Sequence, residues 1–226
     1  MVVAEIKPFE EIKNSIREFK KVLLVGCGTC VTVCLSGGRK QVELLASALK
    51  MSRNLEGDEV IIGEKVLPRQ CDPKFVDMIK DEAGQYEAVL SMGCGAGVQG
   101  IADIITDIPV LPALNTTFIG MADEKGRYLE VCAACGNCIL AETGGICPVA
   151  RCAKGLIHGP CGGSQRGLCE VSKDNPCVWQ MIYERLVKLN KVDFLKKMSR
   201  QRKIPVRPRR LVREEPKPKK EPTKGA

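Results

Sequence analysis

Short apolar runs alternate with helical patterns through the first half of the chain. Runs at 21–25, 59–62, 88–92 and 109–111 predict four strands. Between them, apolar residues recur at helical spacing in 42–49, 73–82 and 98–105. Strands that alternate with helices at this interval predict an α/β fold, with a small doubly wound parallel sheet of about four strands.

Patterns on either side of this sheet predict three further elements. Residues 4–20 carry apolar residues at roughly helical spacing, and Pro8 suits a first helical turn, so an amino-terminal helix is expected. Residues 116–121 and 127–131 predict a hairpin. Residues 178–198 return to a helical pattern and predict a carboxyl-terminal helix.

The character of the chain changes at Cys132. From there to Cys177 it is rich in cysteine and glycine with little periodicity, so a metal would have to organise its fold. The predicted domains are an α/β domain at 1–130, a Cys-rich iron–sulfur module plus helix at 131–198, and a basic Pro-rich tail at 199–226.

Cysteine supplies 13 of the 226 residues. An odd number of thiols does not suit a fully paired disulfide framework, and the first residues do not resemble a signal peptide. The sequence contains no run of about 18 apolar residues, so no membrane span is predicted. These features predict a cytoplasmic chain whose thiols serve metals or redox chemistry.

Five cysteines belong to the predicted α/β domain and follow its strands. Because the carboxyl ends of parallel strands share one edge, thiols from three loops are expected to converge there, on one [4Fe–4S] cluster. The alternative for any one of them is a small buried apolar residue. All five are candidate cofactor-binding residues, and all except Cys34 are candidate metal ligands: Cys27, Cys30, Cys34, Cys71 and Cys94.

The other eight cysteines lie within 46 residues, and all are candidate metal ligands. The opening C-x2-C-x2-C and a later Cys-Pro resemble a bacterial ferredoxin run, although eight residues rather than three separate them. Eight thiols fit two four-iron clusters or two Zn²⁺ sites, and the triple followed by single cysteines favours clusters. The set is Cys132, Cys135, Cys138, Cys147, Cys152, Cys161, Cys169 and Cys177.

The net charge of +8 resides in the tail. Residues 200–226 contain 11 Lys or Arg and 3 acidic residues, so the rest of the chain is neutral. The tail lacks the interleaved aromatic residues of a nucleic-acid-binding segment. The tail is interpreted as an arm that contacts an acidic surface of a partner protein. No nucleic-acid partner is predicted.

Several motifs together resemble one known family. They are Gly159-Pro160-Cys161-Gly162-Gly163-Ser164, Asn175-Pro176-Cys177-Val178-Trp179 and, in the first half, Gly26-Cys27-Gly28-Thr29-Cys30. The chain resembles the methylenetetrahydrofolate reductase C-terminal cysteine-rich family over about residues 20–190. Its length is similar to that of the free-standing small subunit of the bacterial enzymes, the MetV type.

The resemblance implies a partner-dependent role in one-carbon (folate) metabolism of the Wood–Ljungdahl type. The partner would be a flavin-containing methylenetetrahydrofolate reductase catalytic subunit, and FMN or FAD is expected only there. This chain would be its iron–sulfur companion with two to three [4Fe–4S] clusters, and would exchange electrons with ferredoxin or another redox subunit. No catalytic residue is predicted. The alternative is a structural Zn²⁺-binding companion that stabilises the catalytic subunit.

Overall fold

A four-stranded parallel sheet forms the centre of the amino-terminal half. The computed structural model of the chain describes residues 1–197. The strands pair in the order β3 (Ile61–Leu67), β2 (Lys21–Cys27), β4 (Ala88–Met92) and β5 (Val110–Pro112). The predicted α/β fold with a parallel sheet and a carboxyl-terminal helix is therefore confirmed.

Alternate residues of the central strand face opposite cores. Val22 and Leu24 of β2 belong to one buried cluster, whereas Leu23 and Val25 belong to another. Successive side chains of a strand point to opposite faces, so a continuous apolar run is what a strand buried on both faces requires.

Helices cover both faces of this sheet. Leu49 of α3 (Arg39–Leu55) packs in the first cluster, and Val76 of α4 (Pro73–Val76) packs in the second. The segment predicted as one helix at 73–82 is instead two short helices joined by a 3₁₀ turn at Asp77–Ile79. The helices are α1 (Phe9–Ser15), α2 (Cys30–Val33), α3 (Arg39–Leu55), α4 (Pro73–Val76), α5 (Lys80–Ala83), α6 (Gly95–Ala102), α7 (Pro148–Arg151), α8 (Val178–Lys188) and α9 (Asp193–Lys197).

A second, antiparallel sheet corrects one prediction. Its strands are β1 (Val2–Ile6), β6 (Leu114–Ala122) and β7 (Tyr128–Cys132), in the order β1-β6-β7. The predicted hairpin is present as β6 and β7. The predicted helix over 4–20 is wrong at its start, because Val2–Ile6 pairs with β6 and the helix begins only at Phe9. The long-range pairing of β1 overrides the local helical spacing.

The chain forms two compact units. The sheet unit comprises Met1–Ala134 and Cys147–Gly155, and the helix unit comprises, among the described residues, Cys135–Ile146 and 156–197. The basic tail at 199–226 and the last residue of the predicted helix at 178–198 lie outside the described residues. Within residues 1–197, no helix combines the length and apolar character that crossing a bilayer requires.

Candidate functional site

Three thiols of the sheet unit lie at the carboxyl edge of the parallel sheet. Cys27 is the last residue of β2, Cys71 lies in the loop after β3, and Cys94 immediately precedes α6, two residues after β4. β2 and β4 are neighbours with Gly26 opposite Met92, which places the following residues of the two strands side by side. The geometry places the three loops at one edge, as the strand pattern predicted.

Gln70 holds the loop that carries Cys71 against this edge. Its side chain is fully buried, and its amide nitrogen donates to the carbonyl oxygen of Val25 in β2 at 2.9 Å. Its amide oxygen accepts a hydrogen bond from the Ser91 hydroxyl in β4 at 2.7 Å. Ser91 Oγ in turn accepts from the amide of Gly93 at 3.2 Å. One side chain therefore joins the three strand ends that precede the three thiols.

Glycines let α6 approach this loop closely. A Cβ atom at Gly100 would lie 2.7 Å from the carbonyl oxygen of Gln70, and one at Gly97 would lie 2.9 Å from the Gln70 Cβ. Both distances are too short for a side chain at these positions. Sequence reasoning missed Gln70, Ser91 and these glycines as supports of the site. The signal that could have found them is the run of glycines at 93, 95, 97 and 100.

Neighbouring thiols act electrostatically on Cys71. Burial raises the pKa of the Cys71 thiol above its ordinary value, and the neighbouring Cys94 and Cys27 raise it further, while Arg69 opposes the shift. A negative charge on a neighbouring sulfur would disfavour a second one on Cys71. A cationic metal centre would reverse this repulsion, since it holds thiols in their deprotonated form.

Cys30 begins the short helix α2 that follows β2, and Cys34 comes directly after its last residue. Cys30 is half-buried. Cys34 is buried in the first core cluster, and its sulfur lies 3.2 Å from Ser36 Oγ and 3.6 Å from the carbonyl oxygen of Ala4. Cys34 is thus surrounded by core and backbone atoms, in the way expected of a buried apolar residue.

Cys132 belongs to the sheet unit and shares a pocket with Cys94. The pocket has a volume of about 510 Å³, and Thr116 and Phe118 of β6 also line it. Cys132 is the last residue of β7, is exposed, and accepts a hydrogen bond from the Ala134 amide at 3.4 Å. The sequence had grouped Cys132 with the carboxyl-terminal set.

Two further cysteines of that set also belong to the sheet unit. Cys147 and Cys152 flank the one-turn helix α7, and both are half-buried. α7 packs against β7, which ends at Cys132. The sheet unit therefore contains eight of the 13 cysteines.

The helix unit contains the other five cysteines. Leu168 pairs with Pro176 in an antiparallel bridge, and the Cys169 amide donates to the carbonyl oxygen of Asn175 at 2.9 Å. This pairing brings Cys169 next to the segment that ends at Cys177, which is buried at the start of α8. Cys135 is half-buried, whereas Cys138 and Cys161 are exposed.

A mostly apolar pocket of about 380 Å³ lies in the helix unit. It is lined by His158, Trp179 and Tyr183, among others. The indole nitrogen of Trp179 donates to the carbonyl oxygen of Leu156 at 3.1 Å, which fixes the ring as an anchor of α8. His158, the only histidine of the chain, lies on this pocket wall.

The donor chemistry of the strand-end thiols suits a thiolate-bound metal, but the described side chains do not form a closed site. Within residues 1–197, no group of three or more His, Cys, Asp or Glu side chains is arranged to hold a metal ion. Metal binding commonly draws its ligands together as the site forms. At this edge, Cys27, Cys71 and Cys94 fit a thiolate-bound metal, because each provides a sulfur ligand at the end of a neighbouring strand.

These features define a cysteine-rich α/β protein with thiols at the carboxyl edge of its parallel sheet. Residues 111–204 match the family model described as "Methylene-tetrahydrofolate reductase C terminal". The match covers less than half of the chain and includes β6, β7 and all eight cysteines from Cys132 to Cys177. It supports the resemblance at the level of the family. No curated protein and no solved structure gives a significant match to the chain.

Proposed function

We propose that this chain is the cysteine-rich iron–sulfur electron-transfer subunit, of the MetV type, of a methylenetetrahydrofolate reductase complex. The observation that carries the proposal is the family match over residues 111–204, which includes eight closely spaced cysteines. Thiols at three neighbouring strand ends give the amino-terminal half a second place for thiolate chemistry. Two to three [4Fe–4S] clusters are the cofactors that this number of thiols suits.

The residues of this chain would bind and position the redox centres. Bound [4Fe–4S] clusters would supply one-electron transfer between a ferredoxin-type donor and the flavin of a separate catalytic subunit in the cytoplasm. The ligands proposed at the strand ends are Cys27, Cys71 and Cys94, positioned by the buried Gln70. Backbone N–H groups of the glycine-rich loops after β2 and β4 can approach cluster sulfides closely because glycine has no side chain.

A structural role is the competing proposal. In that case Zn²⁺ would hold the thiols, and the chain would stabilise the catalytic subunit without carrying electrons. The two proposals share the same thiols and differ in the metal, so the metal content decides between them.

The deciding experiment is an oxygen-free purification of the full chain together with its flavoprotein partner. Iron, sulfide and zinc are measured beside the visible spectrum and the low-temperature EPR spectrum of the reduced protein. About eight to twelve iron per chain is expected for two to three clusters. Addition of reduced ferredoxin should then bleach the flavin absorption only when this chain is present. Zinc without iron, or equal flavin reduction without the chain, would contradict the electron-transfer role.

A further inference from the structure

We infer that Cys132 is the fourth thiolate of the strand-end site, together with Cys27, Cys71 and Cys94, and is not a ligand of the carboxyl-terminal cysteine set. This inference rests on the proposed metal-binding function and assigns its ligands. It divides the motif Cys132-x2-Cys135-x2-Cys138 between two centres, although its spacing is that of a single ferredoxin-like run.

The shared pocket is the first observation that supports this assignment. Cys94 and Cys132 both line the pocket of about 510 Å³ in the sheet unit. Its other walls include Phe118, Ile119 and Ala96, so thiols face a partly apolar space that is large enough for a group bulkier than a single ion.

Strand β6 fixes the positions of both cysteines. The amide of Gly95, next to Cys94, donates to Thr116 Oγ1 at 2.8 Å. Cys132 of β7 lies directly opposite Ile119 of β6. Thr116 and Ile119 are three residues apart, which is about 10 Å in a regular strand, and a bulge of β6 at Thr117 shortens this distance. In a four-iron cluster each thiolate binds a different iron, so its ligands stand farther apart than the ligands of one metal ion.

The remaining two ligands follow from the sheet. Cys27 and Cys94 both pack in or against the first core cluster, and β2 and β4 are adjacent. The loop with Cys71 is tied to both strands through Gln70. Cys34 is enclosed by Ala4, Val31 and Ser36, and Cys30 begins α2.

Metal counts in single and double variants test the assignment. Cys94→Ser and Cys132→Ser should each lose one cluster, about four iron per chain. The double variant should lose no more than either single variant, because both changes remove the same cluster. The double variant Cys94→Ser with Cys135→Ser should lose about eight iron. Cys34→Ser is the matched control and should keep the wild-type iron content.

A loss of about eight iron in the Cys94/Cys132 double variant would overturn the assignment, because it would place the two residues in different clusters. The assignment would also be overturned if Cys132→Ser, Cys135→Ser and their double variant all lost the same amount of iron, because Cys132 and Cys135 would then bind one cluster. Zinc in place of iron would overturn the proposed electron-transfer function, while zinc counts in the same variants would still decide the ligand assignment. The failure of the proposed function and the failure of this inference are therefore distinguishable.

A measurement on the unaltered protein guards against variants that fail to fold. Oxygen-free protein is treated with a metal chelator, and the alkylation of each cysteine by iodoacetamide is followed by mass spectrometry. When each rate is divided by the rate of the same cysteine in metal-free protein, Cys132 should become reactive together with Cys94 and Cys71, and not together with Cys135. If Cys132 were alkylated together with Cys135 and separately from Cys94, the assignment would be overturned.

Discussion

The hydroxyl of Ser91 donates a hydrogen bond of 2.7 Å to the side-chain oxygen of Gln70, and both residues are fully buried. Since Gln70 also donates to Val25, this pair links the ends of β2 and β4 to the loop that carries Cys71. A buried amide is stable only when both its donor and its acceptor are satisfied, and here two neighbouring strands satisfy it.

Gln70→Ala is expected to destabilise the sheet unit by about 2–4 kcal/mol. The change leaves the Val25 carbonyl and the Ser91 hydroxyl without these partners and also opens a small cavity. Native-state hydrogen exchange of the β2 amides measures the effect. Gln85→Ala is the control, because Gln85 is exposed, and should change the protection by less than about 0.5 kcal/mol. Equal effects in the two variants would contradict the proposed clamp.

Two glycines of α6 are expected to respond oppositely to alanine. Gly100→Ala places a Cβ 2.7 Å from the Gln70 carbonyl oxygen, a backbone atom that cannot rotate away, and should cost about 1–3 kcal/mol. Gly95→Ala meets no atom closer than Thr116 Oγ1 at 3.7 Å and should be neutral or slightly stabilising, because alanine limits the unfolded chain. Thermal unfolding followed by circular dichroism compares them. A Gly100→Ala variant as stable as Gly95→Ala would show that α6 can shift away from the loop.

Asp58 should make part of the stability depend on acid pH. Its hydrogen bond with Lys20 holds the pKa of this carboxyl below its ordinary value, and the charge of the buried Arg53, whose guanidinium lies 2.5 Å from it, acts in the same direction. A lowered folded-state pKa stabilises the fold above the ordinary value of about 3.9, and this contribution is lost as the pH falls through the lowered value.

Asp58→Asn should therefore lower the melting temperature at pH 6, and the difference from the wild type should shrink as the pH falls below about 3.9, because asparagine does not titrate. Thermal unfolding of the wild type and the variant across this range is the measurement. A difference between them that stays constant from pH 6 to pH 3 would contradict the role of the charged carboxylate.

Removal of metal should disorder the helix unit before the sheet unit. The sheet unit buries two apolar clusters around β2, whereas the segments around Cys161 and Cys169 have few buried apolar residues. Trp179 is the only tryptophan of the chain and is 4% exposed, so its fluorescence reports on the helix unit alone. Chelation should shift its emission to longer wavelength as the indole becomes exposed to water.

Hydrogen exchange of the β2 amides provides the comparison within the same molecule and should remain slow after chelation. If the emission of Trp179 stayed unchanged after complete removal of metal, the helix unit would be held by its apolar contacts instead, among them Ile182 and Leu186 of α8.

The pattern of apolar runs and helical spacing was sufficient to predict the parallel sheet and the loops at its carboxyl edge. The apolar run of β2 indicates a strand buried on both faces; Cys27 is the last residue of this strand, and Cys94 lies two residues after β4. The β6–β7 hairpin could also be predicted, since its strands are separated only by a short turn at Gly126.

Contacts between residues that are far apart in the sequence could be identified only from the folded structure. β1 resembled the start of a helix until its pairing with β6, more than 100 residues away, was known. Cys132 resembled a member of the carboxyl-terminal run, yet the end of β7 places it in the pocket of Cys94. Local spacing determines periodicity and turns, whereas the neighbours of a residue across strands depend on how the whole chain packs.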